Sequence, residues 1–236
     1  VQTYAWLMAQ VNDRSRPRVG ETIRFDFGTT TTSSYAGNTW NSTFSGLERA
    51  THVALPFART DADRGTGVSV RPTDPFNGTT TSGLSSATLP SSIAGDGWTV
   101  GSNAGHEAAL SELGVLRITS LTPSGPYRLE VFGSWNNNDS NLGRVARYTV
   151  AGQSRDLDLV GNASNTAVFE TVFAGASGAL ELVVGVAPGT TARWAPINAP
   201  RITAPEPIAP PPGGAGDVDQ SGPTAGVDLS IPNNDV

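Results

Sequence analysis

Cysteine is absent from the 236 residues. Disulfides, thiolate zinc sites and cysteine nucleophiles are thereby excluded. Lysine is absent too, so all 15 basic residues are Arg, and no basic patch marks a nucleic-acid surface. Histidine occurs only at positions 52 and 106. No apolar run approaches the roughly 20 residues that a membrane-spanning helix needs, which excludes membrane insertion by a helix. Glycine-rich phosphate loops, the Gly-x-Ser-x-Gly elbow and His-Glu-x-x-His are all missing, and the expectation is that the chain is not an enzyme.

What is present has a β texture. There are 27 Gly and 17 Pro, with abundant Ser and Thr, and short runs of β-branched and aromatic residues lie between turn residues. Ile23, Phe25 and Phe27 alternate with Thr22, Arg24 and Asp26, the signature of a half-buried strand. Further strands are expected at 51–57, 67–71, 114–121, 127–132, 144–150, 156–160, 167–173 and 179–186, with turn chemistry such as Pro123-Ser-Gly-Pro126 and Gly175-Ala-Ser-Gly178 between them. Eight or more short strands predict a β-sandwich. The first segment, Val1 to Val11, fits a helical stripe and a strand about equally, with a slight lean to a short helix. The polar stretches 29–46 and 73–97 read as long surface loops.

The division expected is therefore an N-terminal segment at 1–19, a sandwich at 20–203, a Pro/Gly-rich linker at 204–216 and an acidic tail at 217–236. Charge follows the same division: the tail from Ala204 carries five acids and no base, against 16 acids and 15 Arg before it. The linker has the composition of an extended polyproline segment. The start at Val1 reads as a mature chain after signal-peptide removal, which points to an extracellular or cell-surface location.

Four groups of residues carry candidate chemistry. Asn38-Thr-Trp40-Asn41 and Ser134-Trp135-Asn136-Asn-Asn-Asp139 set indoles beside amides, as sugar sites do, with Trp40, Asn41, Trp135, Asn136 and Asp139 as candidate carbohydrate ligands. The alternative is that each Trp plugs an end of the core. Gly105-His106-Glu107 is a catalytic remnant or a polar loop, and His52 reads as a hydrogen-bonded structural residue within a strand. Asp156 and Asp158 share one strand face, which suits a cation site or ordinary solvation. Sequons stand at Asn41, Asn77, Asn138 and Asn162.

The tail segment Asp217-Val-Asp219-Gln-Ser221-Gly-Pro223-Thr-Ala-Gly-Val-Asp228 has calcium-loop spacing, with Asp217, Asp219, Ser221, Pro223 and Asp228 at the ligand positions and Gly222 at the sharp turn. Gly216-Asp217-Val218-Asp219 and Asp228-Leu229 resemble one dockerin-type calcium repeat. Dockerins pair two such repeats, each followed by a helix, whereas here Pro232 follows almost at once. In the body, Tyr127-Arg-Leu-Glu-Val-Phe-Gly-Ser134, Arg147-Tyr-Thr-Val-Ala-Gly152, Gly178-Ala-Leu-Glu-Leu-Val183 and Ala195-Pro-Ile-Asn-Ala199, with Ile23-Arg-Phe-Asp-Phe-Gly28 and Trp40-Asn41, resemble the galactose-binding-like jelly rolls of secreted bacterial proteins, near carbohydrate-binding modules. That resemblance implies a jelly roll with glycan or protein binding at its loop ends and often a calcium ion. Two functions are expected from these features: a secreted subunit that assembles with copies of itself through its terminal segments into a fibre or layer, or a carbohydrate-binding module with glycans as partners.

Overall fold

The alternation after Gly20 gives the first strand, β1 (Thr22–Asp26), in the computed structural model of the protein. Successive strand side chains point to opposite faces, so Ile23 and Phe25 enter the interior and Arg24 faces outward. Residues 15–29, 31–32, 34–43, 45–86, 89–101, 112–136, 145–190 and 193–205 are described by the structure. The expectations for Val1–Val11, His106 and Glu107, Asn138 and Asp139, and the tail with its calcium loop at Asp217, Asp219, Ser221, Pro223 and Asp228 concern residues outside these ranges.

Fourteen further strands follow: β2 (Ser34–Tyr35), β3 (Asn38–Thr39), β4 (Asn41–Ser42), β5 (Ser69–Asp74), β6 (Gly78–Thr80), β7 (Gly97–Val100), β8 (Gly114–Thr119), β9 (Pro126–Phe132), β10 (Val145–Val150), β11 (Gln153–Asp158), β12 (Thr166–Phe173), β13 (Leu180–Val186), β14 (Ala195–Ile197) and β15 (Ala199–Thr203). They form two five-stranded sheets, ordered β12-β9-β15-β1-β4 and β11-β10-β13-β8-β5, with a three-stranded sheet β14-β7-β6 and the small β2-β3 hairpin. The fold is the all-β sandwich expected from the sequence. Among the described residues the longest helix is the single turn Ser91–Ala94, and no helix is long and apolar enough to cross a membrane.

One core joins the sheets. Phe25, Leu129, Val131 and Ile202 from the first meet Leu116, Ile118, Tyr148, Leu182 and Val184 from the second. The third sheet adds Trp98, fully buried and stacked on Phe27 with ring centroids 4.4 Å apart. At the two ends of the sandwich chain, β1 and β15 pair antiparallel with Ile23 opposite Ile202. Ala204, the first residue of the expected linker, is still buried and exchanges backbone hydrogen bonds with Gly20 and Glu21.

The run 51–57 departs from expectation. It forms turns, with only Leu55 bridging Val70, because Pro56 has no N–H to offer a ladder and Phe57 takes a positive φ of 54°. His52 accordingly lies exposed in a turn and is not the strand residue expected. The strand expected at 156–160 begins earlier, at Gln153, because Ala151 and Gly152 both adopt positive φ and close a two-residue hairpin with Val150 opposite Gln153.

Candidate functional site

Sheet register lines up charges on the outer face of the first sheet. Arg24 on β1 lies opposite Arg201 on β15, and Arg201 lies opposite Glu130 on β9. Two guanidiniums directly across a strand pair repel. Carboxylates relieve this: Glu130 accepts from Arg201 Nη2 at 2.6 Å and from its Nε, and also pairs with Arg128. Arg24 Nη2 donates to Asp61 Oδ2 at 2.9 Å. Burial alone would raise the Glu130 carboxyl, but the Arg201 and Arg128 guanidiniums more than offset it and hold the group below the usual carboxylate value.

The neighbouring row is apolar. Ala199 faces Phe132, which faces Thr166. With Trp40, Ile93 and Ala94, Phe132 and Ala199 make a second, smaller buried cluster, flanked by Tyr35 and Leu89. Above it stands the β2-β3 hairpin, whose two central residues Ala36 and Gly37 both adopt positive φ, as a tight primed turn requires. The hairpin brings Tyr35 and Asn38 to the rim of a groove of about 370 Å³ lined also by Arg24, Trp40, Glu130 and Arg201.

Among the described residues proposed for sugar binding from sequence, only Trp40 lines this groove. Its indole is 7% exposed and carries the Arg24 guanidinium 5.8 Å from the ring centroid. Asn41 is engaged elsewhere: Nδ2 donates to the carbonyls of Arg24 (2.9 Å) and Arg59 (2.8 Å), and Oδ1 accepts from Arg59 N at 2.7 Å. It stitches β1 to the backbone of Arg59. Trp135 stacks on Trp194 with centroids 6.2 Å apart and packs against the main core, and Asn136 beside it is exposed. The two indoles therefore serve different clusters. Arg24, Tyr35, Glu130 and Arg201 escaped the sequence reading, although charges at the outward positions of β1 and β9 were a visible signal.

Two of the four sequons are also occupied structurally. Asn77 is buried and donates to Gly101 O, and buried Asn162 donates to Gly133 O at 2.7 Å and to Asn165 O at 2.9 Å. Asp156 is held by Arg147 through hydrogen bonds of 2.7 and 2.8 Å, and Asp158 caps Val160 N at 2.9 Å, so this pair is a solvated strand face.

A second polar cluster sits at the end of β1. Asp26 is wholly buried; its Oδ2 accepts from Ser42 Oγ at 2.9 Å and from Thr32 N at 3.2 Å, while its buried Oδ1 has no hydrogen-bond partner. Asp96, 2% exposed, accepts from Thr29 N at 2.7 Å and Thr29 Oγ1 at 3.3 Å. Burial, and secondarily the charge of Asp96, push the Asp26 carboxyl up to about 7 against the hydrogen bond from Ser42. Asn198, also fully buried, anchors the surroundings by donating to Asp96 O (2.7 Å) and Ala94 O (3.0 Å) and accepting from Ser134 N (2.9 Å). Among the described residues no group of three or more His, Cys, Asp or Glu gathers around a metal-sized space.

No family model matches the chain, and no curated protein matches it. Solved structures do. A crystal structure of exo-β-1,3-galactanase from Phanerochaete chrysosporium with β-1,3-galactotriose aligns at 16% identity and a TM-score of 0.32, over 54% of this chain and 26% of that one. The same enzyme with galactose aligns at 15% identity and a TM-score of 0.31, over 61% of this chain and 32% of the other. This chain thus spans about a third or less of those proteins. The expectation that the chain is not an enzyme is corrected by this finding, since the structures it matches are those of an enzyme. At these scores the likeness assigns no reaction and no residue.

Proposed function

We propose that the chain is a carbohydrate-binding β-sandwich that holds a glycan segment in the groove of its outer sheet face. The observation that carries this reading is the groove's wall: Tyr35 and Trp40 stand beside Arg24, Asn38, Glu130 and Arg201 around about 370 Å³. A pyranose has an apolar face and a rim of hydroxyls, so it needs an aromatic surface flanked by oriented donors and acceptors. Cross-strand ion pairing fixes those groups before any ligand arrives, which lowers the ordering cost of binding. The half-buried Tyr35 is the platform, because Arg24 already lies over the Trp40 ring. Such a role belongs outside the cell or on its surface.

A glycan array followed by calorimetric titration of the best hits tests the reading. Binding to at least one polysaccharide class is expected, weakened about tenfold or more in Tyr35→Ala, in line with roughly 1.4 kcal/mol per decade, and to a lesser degree in Asn38→Ala. Both residues sit on the rim hairpin, outside the main core. Silence across a broad array, or affinity unchanged in both variants, would reject the groove as a glycan site.

A further inference from the structure

The charges along the groove do not alternate. From Glu130 on β9 through Arg201 on β15 and Arg24 on β1 to Asp61, contacts and register give the order acid, base, base, acid. Each guanidinium is drawn to an acid on its own outer flank, and among the described residues no acid is shared by the two. Of the charged residues that line the groove, two are guanidiniums and one is a carboxylate.

Both guanidiniums also keep unused donors. Arg201 gives Nε and Nη2 to Glu130, and Arg24 gives Nη2 to Asp61 Oδ2 at 2.9 Å and to Asn38 Oδ1 at 3.5 Å. Nη1 of each donates to no described residue, and the buried Nε of Arg24 has no hydrogen-bond partner. With its side chain 16% exposed, Arg24 has lost much of its hydration while only one of its nitrogens is compensated. An anion arriving there is attracted more strongly than it would be in open solvent.

We propose that the groove takes an acidic glycan, with a uronic-acid carboxylate docked between Arg24 and Arg201 and one oxygen toward each Nη1. This rests on the reading of the groove as a glycan site and names the class of sugar it selects. A ligand carboxylate there restores the alternation of charge across the sheet. The neighbouring position already shows the arrangement, since the Glu130 carboxylate is shared by Arg201 and Arg128. Planar guanidiniums match the planar carboxylate, and hydrogen bonds between the two are charge-assisted.

The test is calorimetric titration of the full-length protein at pH 7 with oligomers of galacturonate, alginate and hyaluronan. Each is measured beside its carboxyl-reduced, neutral counterpart, and a sulfated galactan oligomer is included. At least one uronate should bind about tenfold or more tightly than its neutral counterpart. Arg24→Gln and Arg201→Gln, with folding checked by thermal melts, should bring that ratio toward one, whereas Tyr35→Ala should weaken both members of a pair alike. The ratio is read first on the wild type, so a variant that fails to fold does not remove the test. Neutral oligomers that bind as tightly as the acids, and lose affinity in Tyr35→Ala, overturn the carboxylate and leave the glycan groove standing. No binding by any oligomer overturns both. A preference for acid that survives both Gln substitutions, or a sulfated oligomer that binds tightest, also overturns the proposal.

Discussion

Glu130 and Asp26 are acids of the same five-stranded sheet, both nearly or wholly buried, and they are shifted in opposite directions. Register makes the difference. Glu130 lies opposite Arg201 and takes a guanidinium from the neighbouring strand, whereas Asp26 lies opposite Ser42 on β4, which can donate a hydrogen bond but carries no charge. Burial penalises both carboxylates equally in kind. What decides the outcome is whether the cross-strand position holds a cation.

The largest expected effect follows from the unpaired acid. Asp26 has its carboxyl raised from 3.8 to about 7, so the folded state binds a proton that the unfolded chain has already released. Stability contributed by the protonated form is therefore full below about pH 4 and is lost as pH rises through 7. The wild-type unfolding free energy should fall by on the order of 3 kcal/mol over that window through this group. Asp26→Asn should flatten the slope and be the more stable protein at pH 7.5. An unchanged slope in urea titrations of the variant would show that Asp26 is not the group responsible.

Arg201→Ala breaks the paired side of the comparison. Glu130 keeps Arg128, and Arg201 is itself partly exposed, so the loss should be about 2 kcal/mol, below that for a fully enclosed pair. Its pH dependence has the opposite sign. A carboxylate held below its ordinary value stabilises above its unfolded pKa and loses that contribution as pH falls through the folded one. The variant should therefore lie furthest from wild type near neutrality and approach it in acid, as chemical denaturation at a series of pH values would show.

Much of the sandwich is legible in the sequence because its long strands bury one face. β1, β8, β10 and β13 alternate, and the chain shows it. β7 and β14 are buried at every position, so no period appears, and Pro196 reads as a breaker although an edge strand tolerates it. The sites are less legible for a related reason. Glu130 and Arg201 are 71 positions apart and Asp26 and Asp96 are 70 apart, so only strand order and register bring them together. Trp40 stood out because its amide neighbours are local, yet one of them, Asn41, turned out to hold backbone.

Asp156 and Arg147 provide the control for burial. On β10 and β11 they pair across strands as Glu130 and Arg201 do, with hydrogen bonds of 2.7 and 2.8 Å, but in solvent. The Arg147 hydrogen bond again holds the acid below its ordinary value. Water and salt screen such a pair, and ordering two side chains offsets most of its attraction. Asp156→Asn should thus leave the melting temperature unresolved from wild type at moderate salt, with a small loss emerging only at low ionic strength. A loss comparable to that of Arg201→Ala would mean that geometry, and not desolvation with a second guanidinium, sets the strength of the Glu130 cluster.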